Sequence, residues 1–428
     1  MKRKAFFIGN FLVLGLFLVS LVVDANREWK VYAKEYKKLE IERAKKEFGE
    51  NSEQVKAAKA RPIALKHMMA NDLDRFDRCV TCHQGMDPLT NPSLTTPYAE
   101  HPFKTPDLKI HQTHNVQKFG CTVCHGGQGL ATTVEDAHGH VKHWEEPLFG
   151  QPYIQASCVK CHGNYKTLEG AQTAVRGKEL ITKLGCVGCH SFKGVGGEVS
   201  VDLGDIADKP ASRIDWAYMN HIDRHEWNIK EWIEAHLTRD PMEIVPGDPE
   251  GHDCSPGQTC EPVPPSGMPP FVEELSIDDA RAITTYLLGQ TDKPMPKSFY
   301  VFAPKEKEPA FGSAADHGKY VYQKYGCAGC HGEGGTAGRR NFNARGPNQK
   351  EMKDGREPTL VDVVGTYTRD ELRKKIQDGV PPNAVAKFKE DGPTPPLYMP
   401  AWHSKIKGQE LEDLMTYLFS IAKKDEEW

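Results

Sequence analysis

The longest apolar stretch runs from Ala5 to Val23, broken only by Gly9, Asn10, Gly15 and Ser20, and it follows Lys2, Arg3 and Lys4. Its 19 residues nearly span a bilayer core as a helix and exceed an ordinary signal h-region. Residues 1–25 are therefore expected to form a transmembrane signal-anchor, with the basic residues inside and the remaining chain outside. Val23-Asp24-Ala25 offers an imperfect cleavage site, so a cleaved export signal is the competing reading, and both readings export the chain. Over 26–62 the chain is charged, and Trp29, Tyr32, Tyr36 and Leu39 recur at spacings of three and four. That period predicts an amphipathic helical stalk with one aromatic-rich face, either solvated or docked on a membrane partner.

Further helical periods fall at 174–184, 215–238, 277–288, 312–325 and 408–421, with another helix beginning over 371–376. Ser276 followed by Asp279 resembles a capping box at the start of the third of these. The fold expected is mainly α. Residues 291–310 hold four prolines and read as a linker.

Composition changes this picture through two residue types. The formal net charge of -4 gives no reason to expect a nucleic-acid partner, but 12 cysteines and 18 histidines are far from ordinary. Ten of the cysteines and five of the histidines fall into five Cys-x-x-Cys-His motifs: Cys79, Cys82 and His83; Cys121, Cys124 and His125; Cys158, Cys161 and His162; Cys186, Cys189 and His190; Cys327, Cys330 and His331. In such a motif two thioethers hold a porphyrin edge and the adjacent histidine becomes the proximal iron ligand. One match arises by chance or as half of a zinc site, whereas five behind an export signal point to five covalently bound haem c groups. Each macrocycle supplies apolar surface, so plentiful Gly and Pro do not imply disorder here.

The first cysteines of the first three motifs are spaced by 42 and 37 residues, which leaves each haem little protein of its own. A loop-rich trihaem domain is expected over 63–170. The same region holds His67, His101, His111, His114, His138, His140 and His143 but few methionines, which favours bis-histidine ligation. His111 and His114, three residues apart, resemble the pair in small bis-histidine cytochromes that reaches toward two different haems. They are the leading distal ligands for two irons, with one of His138, His140 or His143 for the third and His67 as competitor.

After residue 170 the order helix, motif, loops, methionine and terminal helix occurs twice, and it resembles the class I cytochrome c domain. The resemblance implies two such domains, at 171–290 and 311–428. It makes Met268, in Gly-Met-Pro-Pro, and Met399, in Tyr-Met-Pro-Ala-Trp, the distal ligands. Where the family places a Pro-containing loop behind the proximal histidine, the first copy reads Val201-Asp202-Leu203 and the second Pro358-Thr359-Leu360. Cys254 and Cys260, in the insertion before Met268, form either a local disulfide or a metal-binding or partner-linked pair.

The anchor with Arg-Glu-Trp-Lys-x-Tyr, the run Cys-x-x-Cys-His-Gly-Gly-x-Gly, then Asp136-Ala137-His138-Gly139 and the stretch from His143 to Pro147, with the class I segments, resemble membrane-anchored multihaem cytochrome c subunits of cytochrome bc-like, quinol-oxidising complexes. That resemblance implies cytochrome b and iron–sulfur partner subunits, a lipid bilayer, and a periplasmic electron acceptor. It places the chain as a single-pass protein of the bacterial inner membrane with its haem domains in the periplasm. No catalytic residue is expected, because six-coordinate irons leave no open site. A freestanding tethered relay, an extracellular haem conduit and a multihaem reductase are the other readings.

Overall fold

The computed structural model describes residues 2–86, 95–99, 101, 114–141, 144–247, 266–293, 295–303, 309–341, 355–380 and 397–423. His111, His143, Cys254 and Cys260 lie outside the described residues. The chain is mainly helical and divides into two compact units, Met1–Phe149 and Gly150–Trp428.

The first unit begins with α1 (Lys2–Ala25), whose segment Arg3–Ala25 has a mean hydropathy of 2.6 and is 0% buried over its most apolar window. It is long and apolar enough to cross a membrane, a property that a signal sequence shares. Helix α2 (Glu28–Phe48) buries Trp29, Ala33 and Tyr36 on one face, with Tyr32 and Leu39 at its margins. The aromatic face expected of the stalk is thus covered from within the unit. Tyr98 packs on Tyr36 with ring centroids 5.7 Å apart and donates its hydroxyl to the Tyr32 carbonyl and the Glu35 carboxylate. Helix α3 (Glu53–Ala60), capped by Ser52, packs on α2, and Arg61 beyond it pairs with Glu40 at 2.6 Å. A short antiparallel ribbon, β1 (Met68–Ala70) with β2 (Arg75–Asp77), then leads into the first motif.

In the second unit α4 (Gln172–Lys183) crosses α6 (Ile277–Leu287), and α7 (Ala314–Lys324) crosses α9 (Gly408–Ile421). Between the members of each pair lies a shorter helix of ten residues, α5 (Ile229–Thr238) or α8 (Arg369–Asp378). The two crossings use the same device. A Cβ on Gly177 would meet the Ala282 carbonyl oxygen at 2.0 Å and Tyr286 Cβ at 3.0 Å; on Gly318 it would meet the Asp413 oxygen at 1.9 Å and Tyr417 Cβ at 2.7 Å. Each glycine stands nine residues before the first cysteine of its motif, so the repeat seen in the motifs extends to the packing of the helices.

Three expectations are corrected here. Only 229–238 of the expected helix 215–238 is α-helical, because Asn228 caps there, accepting from the Lys230 and Glu231 amides, while Trp216 and Trp227 stack in the preceding loop at 5.1 Å. The boundary between units falls inside the expected trihaem segment 63–170, so the third motif belongs to the second unit. Its helix, Ala156–Cys161, packs against the end of α6, where a Cβ on Gly289 would lie 2.7 Å from Val159, and Gln155 accepts from the Thr173 amide at the start of α4. The expected linker is not a free tether over 295–303: Val301 donates its amide to Cys161 and accepts from Gly163, both at 2.8 Å.

Overpacking a core contact typically costs about 1–3 kcal/mol. Gly177→Ala and Gly318→Ala are each expected to destabilise the protein by about that much or more, because the nearest atoms are backbone. Thermal unfolding of the purified variants measures this, and wild-type melting in either would show that the helices separate freely.

Candidate haem-binding sites

All five Cys-x-x-Cys-His motifs adopt one turn. In each, the histidine amide donates to the carbonyl of the first cysteine, at 2.8 Å for His83 and His162 and at 3.0 Å for His125, His190 and His331. An i to i−4 bond puts the side chains at i, i+3 and i+4 on one side of the turn, which is where both sulfurs and the imidazole must point to hold one macrocycle.

The histidine rings are also prepared as ligands. His190 Nδ1 meets the Val201 carbonyl at 2.8 Å and His331 Nδ1 meets that of Pro358 at 3.0 Å. Backbone hydrogen bonds to Pro97 and Phe149 back His83 and His125 in the same way. Such a bond fixes the tautomer with Nε2 free to bind metal. Burial lowers the pKa of all four imidazoles, which favours the neutral form that a metal requires. The unusual Val201-Asp202-Leu203 loop therefore supports His190 as the proline-containing loop supports His331. Asp202 stiffens it by accepting from Ser191, Lys193, Gly194 and Gly204.

In the first unit the buried Asp77 caps the second motif, accepting from the Cys121 and Thr122 amides and the Thr122 hydroxyl. Cys79 and Cys121 are in hydrogen-bonding contact, so the first two motifs adjoin. Two imidazoles face the proximal rings: His138 lies 6.3 Å from His83 between centroids with planes 30° apart, and His101 lies 5.8 Å from His125 with planes 82° apart. Of the other expected distal residues, His114 packs on Phe119 at 5.0 Å, while His67 and His140 are exposed. His101 stood in the same histidine-rich stretch but was passed over for the His111 and His114 pair.

In the second unit the fourth and fifth motifs stand back to back. A Cβ on Gly185 would lie 2.1 Å from the Gly329 nitrogen, and one on Gly326 would lie 2.1 Å from the Gly188 nitrogen. The contact is reciprocal because both motifs read Gly-Cys-x-Gly-Cys-His, whereas the other three carry no glycine within the motif. Cys189 and Cys330 are in hydrogen-bonding contact across it. Around it Lys183 pairs with Glu333 at 3.3 Å, Arg340 with Asp240 at 2.8 Å and Lys405 with Glu198 at 3.0 Å. Pairs of this partly exposed kind contribute at most about 1 kcal/mol each, so the close backbone approach is the stronger determinant.

Beside the fifth motif opens a cleft lined by Cys327, Cys330, His331, Met399, Ile376 and Trp402 among others. Met399 is held in this wall by its carbonyl, which accepts from Val380 at 2.8 Å. An apolar cleft with two cysteines, an anchored histidine and a methionine fits a covalent haem. Met268 is half-buried in a loop tied down by the Ser266 amide donating to Val245 at 2.8 Å. His236 on α5 was not anticipated. Counting from the helix caps it matches Ile376 of α8, it is half-buried, its Nδ1 meets the Trp232 carbonyl at 2.8 Å, and desolvation pushes its pKa down to about 4.

A cytochrome c family profile matches residues 315–422. This span contains the fifth motif, Met399 and the crossing of α7 with α9, and it supports a c-type cytochrome with covalently bound haem c and haem-based electron transfer. No curated protein and no solved structure matches the chain.

Burial pushes the pKa of Glu357, in the wall of the fifth cleft, up to about 7, and Asn341 donates to it at 2.7 Å. A carboxyl that keeps its proton longer when folded makes stability fall as pH rises from its ordinary value through about 7. Glu357→Gln is expected to flatten that decline in thermal midpoints between pH 4.5 and about 7, the window between the two values. An unchanged slope would exclude Glu357 as its source.

Proposed function

We propose that this protein is a pentahaem c-type cytochrome that carries electrons from a quinol-oxidising cytochrome b module with its iron–sulfur subunit to a periplasmic acceptor. The observation that carries the reading is the turn common to all five motifs, with the histidine amide bonded to the first cysteine carbonyl each time. A family match over 315–422 accounts for one motif, and the shared turn extends the same chemistry to the other four.

Haem iron bound there supplies one-electron exchange between ferric and ferrous states. The chain's part is to hold sites near one another and to set their potentials. Contact between Cys79 and Cys121, and between Cys189 and Cys330, brings neighbouring attachment points together within each unit. Histidine pairs serve the first unit, while methionine, a poorer donor that favours the ferrous state, serves the fourth and fifth motifs through Met268 and Met399. Electrons then enter at the bis-histidine sites and leave through the His/Met sites.

Helix α1 tethers the protein to the bacterial inner membrane, with everything after it in the periplasm. A single spanning helix encloses no quinone pocket, so the quinol site belongs to a partner. In place of catalysis the chain offers conduction, with candidate distal ligands beside His83, His125 and His331.

Gentle detergent extraction of the native membrane followed by identification of co-purifying proteins tests the partner. Recovery with a cytochrome b and an iron–sulfur subunit is expected. Recovery alone would support a freestanding tethered relay, and haem-bearing fibres would support an extracellular conduit.

A further inference from the structure

The 5.8 Å separation of His101 and His125, with planes 82° apart, is that of an edge-to-face pair, and it is also the spacing of two imidazoles on either side of one metal ion. Two imidazoles that share one metal ion are separated by two metal–nitrogen bonds of about 2 Å each plus the inner halves of both rings, about 6 Å in total. His83 with His138, at 6.3 Å, has the same spacing. Both proximal partners are also held by a backbone hydrogen bond, His83 by Pro97 and His125 by Phe149, which fixes the ring.

We infer that His101 is the distal iron ligand of the haem carried by Cys121, Cys124 and His125, with its ring nearly perpendicular to that of His125. His138 is the corresponding ligand opposite His83, with rings closer to parallel. The assignment rests on reading the first unit as haem-binding, and it adds a ligand that the histidine spacing did not single out.

The two angles, 82° and 30°, have a spectroscopic consequence. Each imidazole donates π density to the iron orbital perpendicular to its own plane. Parallel rings load one orbital and split the pair, which gives a rhombic low-spin ferric signal. Perpendicular rings load both equally and leave them nearly degenerate, which gives a strongly axial signal at large g. Two haems with the same ligand atoms and adjoining attachment points are thereby distinguishable.

The test uses full-length holoprotein, oxidised, with low-temperature electron paramagnetic resonance and mass analysis of the haem-bearing peptides. Wild type is expected to show a large-g signal. His101→Ala should lose it and gain one equivalent of high-spin iron, which added imidazole converts back to low spin. His101→Met should remain low-spin at that haem without the large-g signal, and His138→Ala should keep the large-g signal while losing a rhombic one. Persistence of the large-g signal in His101→Ala, with haem still attached at Cys121 and Cys124, overturns the assignment but leaves the haem reading intact. Absence of haem from that peptide in wild type overturns both.

Discussion

The structure depends on one local bond, the histidine amide of each Cys-x-x-Cys-His motif closing onto the carbonyl of its first cysteine. That bond winds five residues into a turn with two sulfurs and an imidazole on one side. A second hydrogen bond, from the ring to the backbone, holds the imidazole at His83, His125, His190 and His331, and at the last two it is Nδ1 that bonds, leaving Nε2 outward. At His190 and His331 the carbonyls come from corresponding loops, at Val201 and Pro358, so the fold repeats the support of the ring along with the motif. Much of the surrounding architecture, including the Asp77 cap and the loop around Asp202, serves to keep those carbonyls and turns in place.

A second constraint is steric. Haems attached this densely must be brought together without side chains in between, and the chain does so with glycine where backbone meets backbone. Gly177 and Gly318 let the two pairs of helices cross, while Gly185, Gly188, Gly326 and Gly329 let the fourth and fifth motifs touch. The last two motifs accordingly form one packed pair within one unit.

The motifs, the apolar N-terminal helix and most helix positions were legible because each is written locally: a fixed spacing, an apolar run, a period near 3.6. Helix α9 was read to its ends, and Ser276 does cap α6. Long-range pairing was not legible. Nothing within 63–170 signals that Ala156 and Val159 pack against α6, so the third motif was grouped with the first two. The back-to-back contact left a trace in the doubled Gly-Cys-x-Gly-Cys-His wording, which reads as packing only once the partner surface is seen. Distal histidines were least legible: among seven in one stretch, spacing favoured His111 and His114, while of the described ones His138 and His101 face proximal rings.

The central claim is that ligand chemistry divides the sites into a bis-histidine class and a His/Met class, and that electrons run from the first to the second. A spectroscopically resolved redox titration of the full-length protein, repeated with Met399→His, addresses this most directly. The account predicts that the fourth and fifth haems titrate above those of the first unit and that Met399→His lowers the fifth alone. A fifth haem titrating below the bis-histidine haems, or unmoved by the substitution, would contradict it.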